Sequence, residues 1–317
     1  LQRAMLVVQR RTEDPAEIAH TLLTLAELER GAARHDALLE AAELLEQLGE
    51  HEGALEAADH ARVDEPNDAR ALAIVERCAR TLEQWSLLAT ALAARAEAAL
   101  DDREASTLRR EAAELLLAQG DSLGAIAQYR RLIERKRDDR AAAKALVELL
   151  RAKLSEGEGA DSLREGLIDA LSVLAETSDE TSERIELLAE TASLLDREPD
   201  GGVRAADCRE RILASAALDH PRVADAVAGL SRWYRSQDDW SALAELLDKR
   251  VRTEQLDTSI RVAALRELWE LLRSEGPLAD ELRERKALEQ LAALEPDNSR
   301  WRDLLIADLM EQGDQDR

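Results

Sequence analysis

Residues 35–66, HDALLEAAELLEQLGEHEGALEAADHARVDEP, are the stretch that most constrains what this chain can fold into. Their apolar side chains recur at spacings of three and four in two runs, so each run lies on one face of a helix. Gly49 separates the runs and suits the left-handed cap of a helix C-terminus, and Pro66 cannot continue the second helix. Ala54 and Ala58 are small enough for two helix axes to approach closely. The stretch therefore predicts a pair of short antiparallel helices.

The rest of the chain repeats this helix pair with variations. Gly120 and Ala125 repeat the positions of Gly49 and Ala54 in a later copy of the unit. The predicted helix pairs span residues 1–33, 35–66, 68–100, 103–136, 139–175, 180–218, 222–255 and 257–294, and a single terminal helix spans 299–312. No run of β-branched residues alternates at a period of two, so strands are not expected. The pattern predicts an all-α chain that forms one elongated helical-repeat domain over residues 1–317.

The unit at 35–66 resembles a tetratricopeptide (TPR) repeat, a helix–turn–helix unit of about 34 residues. Gly49, the small alanines and Pro66 fall where the family places such residues, whereas Leu38 and Leu45 stand where the family prefers Trp and Tyr. The chain is therefore similar to a divergent TPR protein. The resemblance implies a right-handed α-solenoid of stacked antiparallel hairpins, in which the first helix of each hairpin lines a concave groove.

Composition disfavours several classes of function. The chain has 67 acidic and 43 basic residues and a net charge of −24, which disfavours non-specific binding to nucleic acid or to anionic membranes. The acidic residues either line solvated helix faces or form a docking surface for a basic partner. No apolar run approaches the roughly 18 residues of a membrane span. Cys78 and Cys208 lie in helical stripes far apart in the sequence, so we expect buried free thiols.

The sequence carries no recognisable signature of catalysis. It has no GxxxxGK(S/T), GxGxxG, HExxH, GxSxG or CxxC motif. The histidines mostly lie at predicted helix ends or turns, and His51 and His60 are not spaced to share one helix face. Paired acids such as Asp101 and Asp102 lie at turns, where they cap the following helix. We therefore predict a protein that is not an enzyme and that holds neither a cofactor nor a metal ion.

The groove implied by the TPR resemblance is the candidate binding site. On the helix at 35–48 the groove positions are acidic, namely Asp36, Glu40, Glu43 and Glu46. On later first helices these positions carry cations, namely Arg70, Arg77, Arg80, Lys144, Arg151, Arg232 and Arg235. One interpretation is that these cations form ion pairs with acids on neighbouring helices. The other is that they capture an acidic peptide segment or a C-terminal carboxylate.

These features predict a non-catalytic scaffold that binds a protein or peptide in the groove of a TPR-like solenoid. The alternative is a regulatory or sensor segment of a larger signalling or transcription-control protein. The chain starts at Leu1 without a signal peptide, which predicts a cytoplasmic protein and a piece of a longer repeat protein. Its high Ala, Leu and Arg content suggests a bacterial source. The helix at 299–312 has no predicted partner helix, which leaves an apolar face for self-association.

Overall fold

The computed structural model describes residues 14–157, 160–217 and 220–315, and within them every regular element is an α-helix. The helices are α1 (Pro15–Leu28), α2 (Ala32–Leu48), α3 (His51–Asp64), α4 (Ala69–Thr81), α5 (Trp85–Ala98), α6 (Asp102–Ala118), α7 (Ser122–Arg135), α8 (Arg140–Glu156), α9 (Ala160–Thr177), α10 (Thr181–Leu195), α11 (Gly202–Ser215), α12 (Pro221–Ser236), α13 (Trp240–Arg252), α14 (Thr258–Leu272), α15 (Glu281–Leu294) and α16 (Ser299–Gln315). None of them is long and apolar enough to cross a membrane.

The helix boundaries follow the predicted pairs closely. Each pair from 35–66 to 257–294 is present as two successive helices. The first helix of the predicted pair 1–33 falls on residues outside the described part of the chain. The last helix continues past the predicted end at Gln312 to Gln315. A single glycine inside a helix costs only about 1 kcal/mol, so Gly313 does not have to end it.

Short-range signals set the helix ends. Gly49 follows α2 with a φ of 80°, the left-handed conformation that the sequence predicts for it. Asp68 precedes α4, and its Oδ1 accepts the backbone N–H of Ala71 at 2.7 Å. Asp139 precedes α8 and accepts the N–H of Ala142 at 3.0 Å in the same way. Such caps satisfy N–H groups that have no partner within the first helical turn.

The chain divides into two compact units, Leu1–Thr177 and Ser178–Arg317. In the first unit α1–α9 each pack against the helices before and after them, α2 also contacts α4, and α7 contacts α9. In the second unit α10–α16 pack in the same sequential way, and α10 also contacts α12. Each unit is thus a row of stacked helix hairpins, which confirms the predicted all-α, TPR-like α-solenoid. The right-handed superhelix and the single-domain organisation stay predictions.

The two units fill their cores differently. In the first unit Ala41, Ala54 and Ala58 are fully buried together with larger aliphatic side chains such as Leu72 and Leu92. In the second unit the rings of Trp269 and Trp301 pack edge to face with their centroids 5.5 Å apart. Such aromatic pairs contribute stability beyond their buried area. Among the described residues, the first unit buries one aromatic side chain, Tyr129, whereas the second buries this tryptophan pair.

Both cysteines are buried free thiols, as the sequence predicts. Cys78 lies inside α4, and burial raises the pKa of its thiol to about 11. Burial also raises the pKa of Cys208, on α11. Because the thiolate is the reactive form, both sulfur atoms are expected to be chemically inert in the folded protein.

Helix α12 crosses a buried arginine at Gly229. Arg209, on α11, is 8% exposed, and its guanidinium pairs with Asp196 at the C-terminal cap of α10. An ideal Cβ atom built on Gly229 would overlap the Nε, Cζ and Cδ atoms of Arg209. The missing side chain at residue 229 therefore leaves the space in which this guanidinium lies.

Candidate partner-binding face

Within each unit the first helices of neighbouring hairpins are joined by ion pairs, and the surface that they form in that unit is named here its first-helix face. In the first unit Arg70 of α4 donates from Nε and Nη2 to one oxygen of Glu43 on α2, at 3.1 and 2.7 Å. Arg77 of α4 donates from Nε and Nη2 to the two oxygens of Glu46 on α2, both at 2.6 Å. Two-pronged contacts of this kind fix the orientation of the guanidinium plane. The result is a pair of arginine forks that link one hairpin to the next.

Arg80 extends this array to the following hairpin. Its Nη2 donates to Glu111 on α6 at 2.7 Å, and its Nη1 donates to Glu76 on its own helix at 3.1 Å. Glu76 also pairs with Arg95 of α5. The acidic and basic groove positions predicted on successive helices thus meet each other along α2, α4 and α6.

The second unit has a corresponding array. Arg222 of α12 donates from Nε and Nη2 to Glu186 Oε2 on α10, at 3.0 and 2.7 Å. Arg235 of α12 pairs with Glu267 on α14. Arg222 is absent from the predicted site residues, although its sequence position is informative. A cation in the first turn of a helix opposes the helix dipole, which indicates that a carboxylate elsewhere stabilises it.

These hydrogen bonds change the acidity of the carboxylates that accept them. The Arg77 guanidinium lowers the pKa of Glu46, and the Arg222 guanidinium lowers the pKa of Glu186 in the same way. In both cases the hydrogen bond to the arginine has a larger effect than burial, which acts in the opposite direction. The carboxylates are therefore held in their charged form.

The other three predicted groove cations are Lys144, Arg151 and Arg232. Lys144 on α8 and Arg232 on α12 are exposed, and neither makes an ion pair or hydrogen bond with the residues that the structure describes. Arg151 on α8 is also exposed but has an interaction partner. Four of the seven predicted cations, Arg70, Arg77, Arg80 and Arg235, thus make the neighbouring-helix ion pairs of the first interpretation. Their role in binding a partner stays a prediction.

A cavity of about 420 Å³ lies in the second unit between α11, α12 and α13. Its apolar walls come from Leu213, Val223, Val227, Leu230, Leu246 and Leu256. Tyr234 also lines it, and its hydroxyl donates to Glu210 Oε1 at 2.8 Å. Burial, followed by this carboxylate, raises the pKa of Tyr234 to about 12. The cavity has the size and the mostly apolar lining of a small-molecule or side-chain pocket.

Arg250 is the unusual charged residue of this cavity. Its side chain is half-buried in the lining and makes no ion pair within the described ranges of the chain. Burial lowers the pKa of its guanidinium. Glu210 and Glu245 line the same cavity, but within the described residues neither forms an ion pair with this guanidinium. No sequence pattern indicates this feature, because it depends on how α11 and α13 flank α12.

No protein-family model and no curated protein matches the chain. Among solved structures, the C-terminal part of a TPR repeat-containing protein from Cytophaga hutchinsonii is 14% identical, with 84% of this chain and 98% of that chain covered and a TM-score of 0.29. The P58(IPK) TPR domain is 11% identical, with 98% and 88% covered and a TM-score of 0.27. A tetratricopeptide repeat protein from Parabacteroides merdae is 12% identical, with 87% and 98% covered and a TM-score of 0.27.

All three of these structures are TPR proteins by name. In this chain, helix pairs of about one TPR length stack sequentially within each unit. The protein is thus a helical-repeat protein whose fold is TPR-like.

Proposed function

We propose that this protein is a non-catalytic scaffold that binds a protein or peptide segment along its first-helix face. The observation that carries the proposal is the set of arginine forks between hairpins. The side chains of Arg70 and Arg77 are 59% and 54% exposed although each is held by a carboxylate from the preceding hairpin. A guanidinium has five N–H donors, so each fork keeps donors for a second acceptor. Arginine groups that are fixed and still accessible suit recognition of carboxylates.

Prior fixation of these groups lowers the entropic cost of binding. A partner that meets an ordered guanidinium does not have to immobilise it. Exposed ion pairs contribute only about 0–1 kcal/mol each, so a carboxylate of the partner can compete for the same donors. Lys144 and Arg232 have no ion pair within the described residues, so a partner can bind them without first breaking one. Specificity would then come from the spacing of the charges along the hairpins.

The charge of the whole chain limits the kind of partner. A net charge of −24 repels a uniformly acidic polypeptide at long range. The first-helix face itself alternates in sign, since each fork combines a guanidinium with a glutamate. We therefore expect a segment of mixed charge, with isolated acidic residues positioned to meet the forks. A uniformly acidic tail is not expected to bind.

Two triple variants with the same change in net charge test the proposal. The first-helix variant combines Arg77→Glu, Lys144→Glu and Arg232→Glu, on α4, α8 and α12. The control combines Arg131→Glu, Arg204→Glu and Arg252→Glu, which are exposed residues of the second helices α7, α11 and α13. Each protein is immobilised, exposed to a bacterial lysate and analysed by quantitative mass spectrometry. Circular dichroism establishes that both variants keep their helical content.

We expect a partner that the unmodified chain and the control retain and that the first-helix variant loses. Loss from both variants, or from the control alone, would place binding outside the first-helix face. If none of the three proteins retains anything, the scaffold function itself is contradicted. A retained partner should also dissociate with added salt, because exposed charges are screened over about 10 Å at 0.1 M ionic strength.

Self-association through the last helix belongs to the same proposal. Trp301 anchors α16 in the core of the second unit, but Ile306, Leu309 and Met310 are exposed on it. An apolar patch of this kind favours contact with a second copy of the chain. Sedimentation velocity of the Leu309→Glu variant tests this, since a dimer formed through α16 would dissociate. A cytoplasmic location, a bacterial source and the alternative regulatory role stay predictions from the sequence.

A further inference from the structure

His35, Glu65 and Asp68 form a cluster at the junction between the second and third hairpins. His35 lies near the start of α2 and is 4% exposed. Its Nδ1 is 3.0 Å from the carbonyl oxygen of Ala61, in the last turn of α3. A carbonyl oxygen can only accept a hydrogen bond, so Nδ1 carries the hydrogen. In the neutral ring, Nε2 then presents its lone pair on the opposite side.

Two carboxylates lie in front of this lone pair. Nε2 is 3.7 Å from Glu65 Oε2 and 3.7 Å from Asp68 Oδ2. The carboxylate of Asp68 is fixed, because its other oxygen accepts the Ala71 N–H at 2.7 Å as the cap of α4. The three potential ligand atoms all lie within 4.8 Å of one another. A buried nitrogen and two carboxylate oxygens therefore converge on one point.

We propose that this cluster binds a divalent transition-metal ion, with Zn²⁺ as the best-matched ion. Zinc binds imidazole nitrogen and carboxylate oxygen at about 2.0–2.2 Å, which separates ligand atoms of a tetrahedral site by about 3.4 Å. The two N–O separations of 3.7 Å are within about 0.3 Å of that value, and the two carboxylate oxygens lie within 4.8 Å of each other. The Nδ1–H to carbonyl hydrogen bond is the second contact that orients a metal-binding histidine. Water would complete the four ligands.

The competing arrangement is a protonated His35 that pairs directly with the two carboxylates. A hydrogen bond from N–H to oxygen measures about 2.7–3.2 Å, and the observed 3.7 Å is too long for one. The two neighbouring arginines do not fill the gap either. Arg34 donates to Asp64 at 2.6 Å, and Arg70 donates to Glu43 at 2.7 Å. The two N–O distances are longer than a hydrogen bond and close to the separation between two ligand atoms of one metal ion.

The ion would fasten one hairpin to the next. His35 belongs to α2, whereas Glu65 and Asp68 lie in the turn between α3 and α4. An ion bound there ties the start of one hairpin to the turn that leads into its successor. Since the ligands come together only in the folded chain, binding should stabilise the fold. Its ligands are not among the arginines and glutamates of the first-helix face, although Asp68 is close enough to Arg70 to add to the rise that Glu43 causes in the pKa of that guanidinium.

The full-length chain, freed of metal with a chelator, provides the test. Zn²⁺ binding is measured by titration calorimetry, and Co²⁺ is added as a spectroscopic probe of tetrahedral coordination. Glu65→Gln removes one ligand at an exposed position, and Asp68→Asn removes another but keeps an oxygen that can cap α4. Glu56→Gln, at an exposed site on α3, is the matched control. Nitrogen NMR of His35 reports directly on Nε2.

We expect one Zn²⁺ per chain, visible absorption bands of tetrahedral Co²⁺, and a higher melting temperature with Zn²⁺. Glu65→Gln and Asp68→Asn should each weaken binding at least tenfold, whereas Glu56→Gln should not. On addition of Zn²⁺ the Nε2 resonance should shift while the Nδ1 proton remains. The proposal is overturned if the unmodified chain binds no stoichiometric ion. It is equally overturned if both ligand variants bind as tightly as the control, or if the Nε2 resonance does not change on addition of Zn²⁺.

Discussion

Replacing Gly229 with alanine gives the sharpest test of the packing described above. In an ordinary helix interior, Gly→Ala stabilises a protein by about 1 kcal/mol, because alanine restricts the unfolded chain and favours the helix. At this position the new Cβ would overlap the guanidinium end of Arg209. Only one of the two can occupy the space, so the end of the Arg209 side chain would have to shift, and we expect this shift to break its pair with Asp196.

The magnitude follows from what Arg209 loses. Removing the partner of a buried charge costs about 3–5 kcal/mol, and the lower part of that range applies because the Asp196 side chain is 43% exposed. Subtracting the helical gain of about 1 kcal/mol leaves a net loss of about 2–3 kcal/mol. For a unit of this size, that loss lowers the melting temperature by roughly 5–10 °C.

Gly53→Ala in α3 is the matched control. A Cβ on Gly53 would meet only the two Cδ atoms of Leu45, at 3.4 and 3.9 Å, so its substitution should be neutral or stabilising. Urea unfolding followed by circular dichroism and calorimetric melting would compare the variants. In the Arg209→Met background, Gly229→Ala should become nearly harmless, since no guanidinium remains to be displaced.

The outcome that refutes this reasoning is a Gly229→Ala variant at least as stable as the unmodified chain. A loss of stability that is the same in the Arg209→Met background as in the chain that keeps Arg209 would also refute it. That result would mean that the alanine disturbs some contact other than the arginine pair.

Further predictions concern titration and reactivity. Glu46 has a lowered pKa, so its pair with Arg77 should contribute stability above its ordinary pKa of 4.5 and lose that contribution as the pH falls through the lowered value. NMR titration of Arg77→Gln should show the Glu46 pKa rising toward 4.5. Tyr234 has a pKa raised to about 12 from an ordinary 10.0, so its contribution should be present below pH 10 and lost as the pH rises toward 12. Phenolate absorbance of the unmodified chain and of Tyr234→Phe would detect this late titration. Cys78 should resist a thiol reagent at about pH 8 until urea unfolds the chain, and rapid labelling of the folded protein would contradict its burial.

The helix pairs could be predicted because their signals are local. Gly49 ends α2, and Asp68 caps α4, through contacts with residues a few positions away. The spacing of apolar residues likewise reports on one helix at a time. The sequence therefore predicts where helices begin and end, and which side of each is buried.

The site could be predicted only in part, because its contacts join residues about one hairpin apart. The sequence places Glu46 and Arg77 at groove positions, but their pairing depends on how far α2 and α4 slide along each other. The cluster of His35, Glu65 and Asp68 escapes any motif for the same reason. Its nitrogen comes from one helix and its oxygens from a turn beyond the next helix.

The ion pairs between hairpins also determine which hairpin can follow which. Glu43 and Glu46 on α2 meet Arg70 and Arg77 on α4. If the hairpin at 35–66 were duplicated in tandem, the glutamates of one copy would face those of the next, and like charges would repel. Pairs that add little to stability can thus still select the correct neighbour against the wrong one. Growth of such a chain by hairpin duplication therefore requires compensating charge substitutions at each new junction.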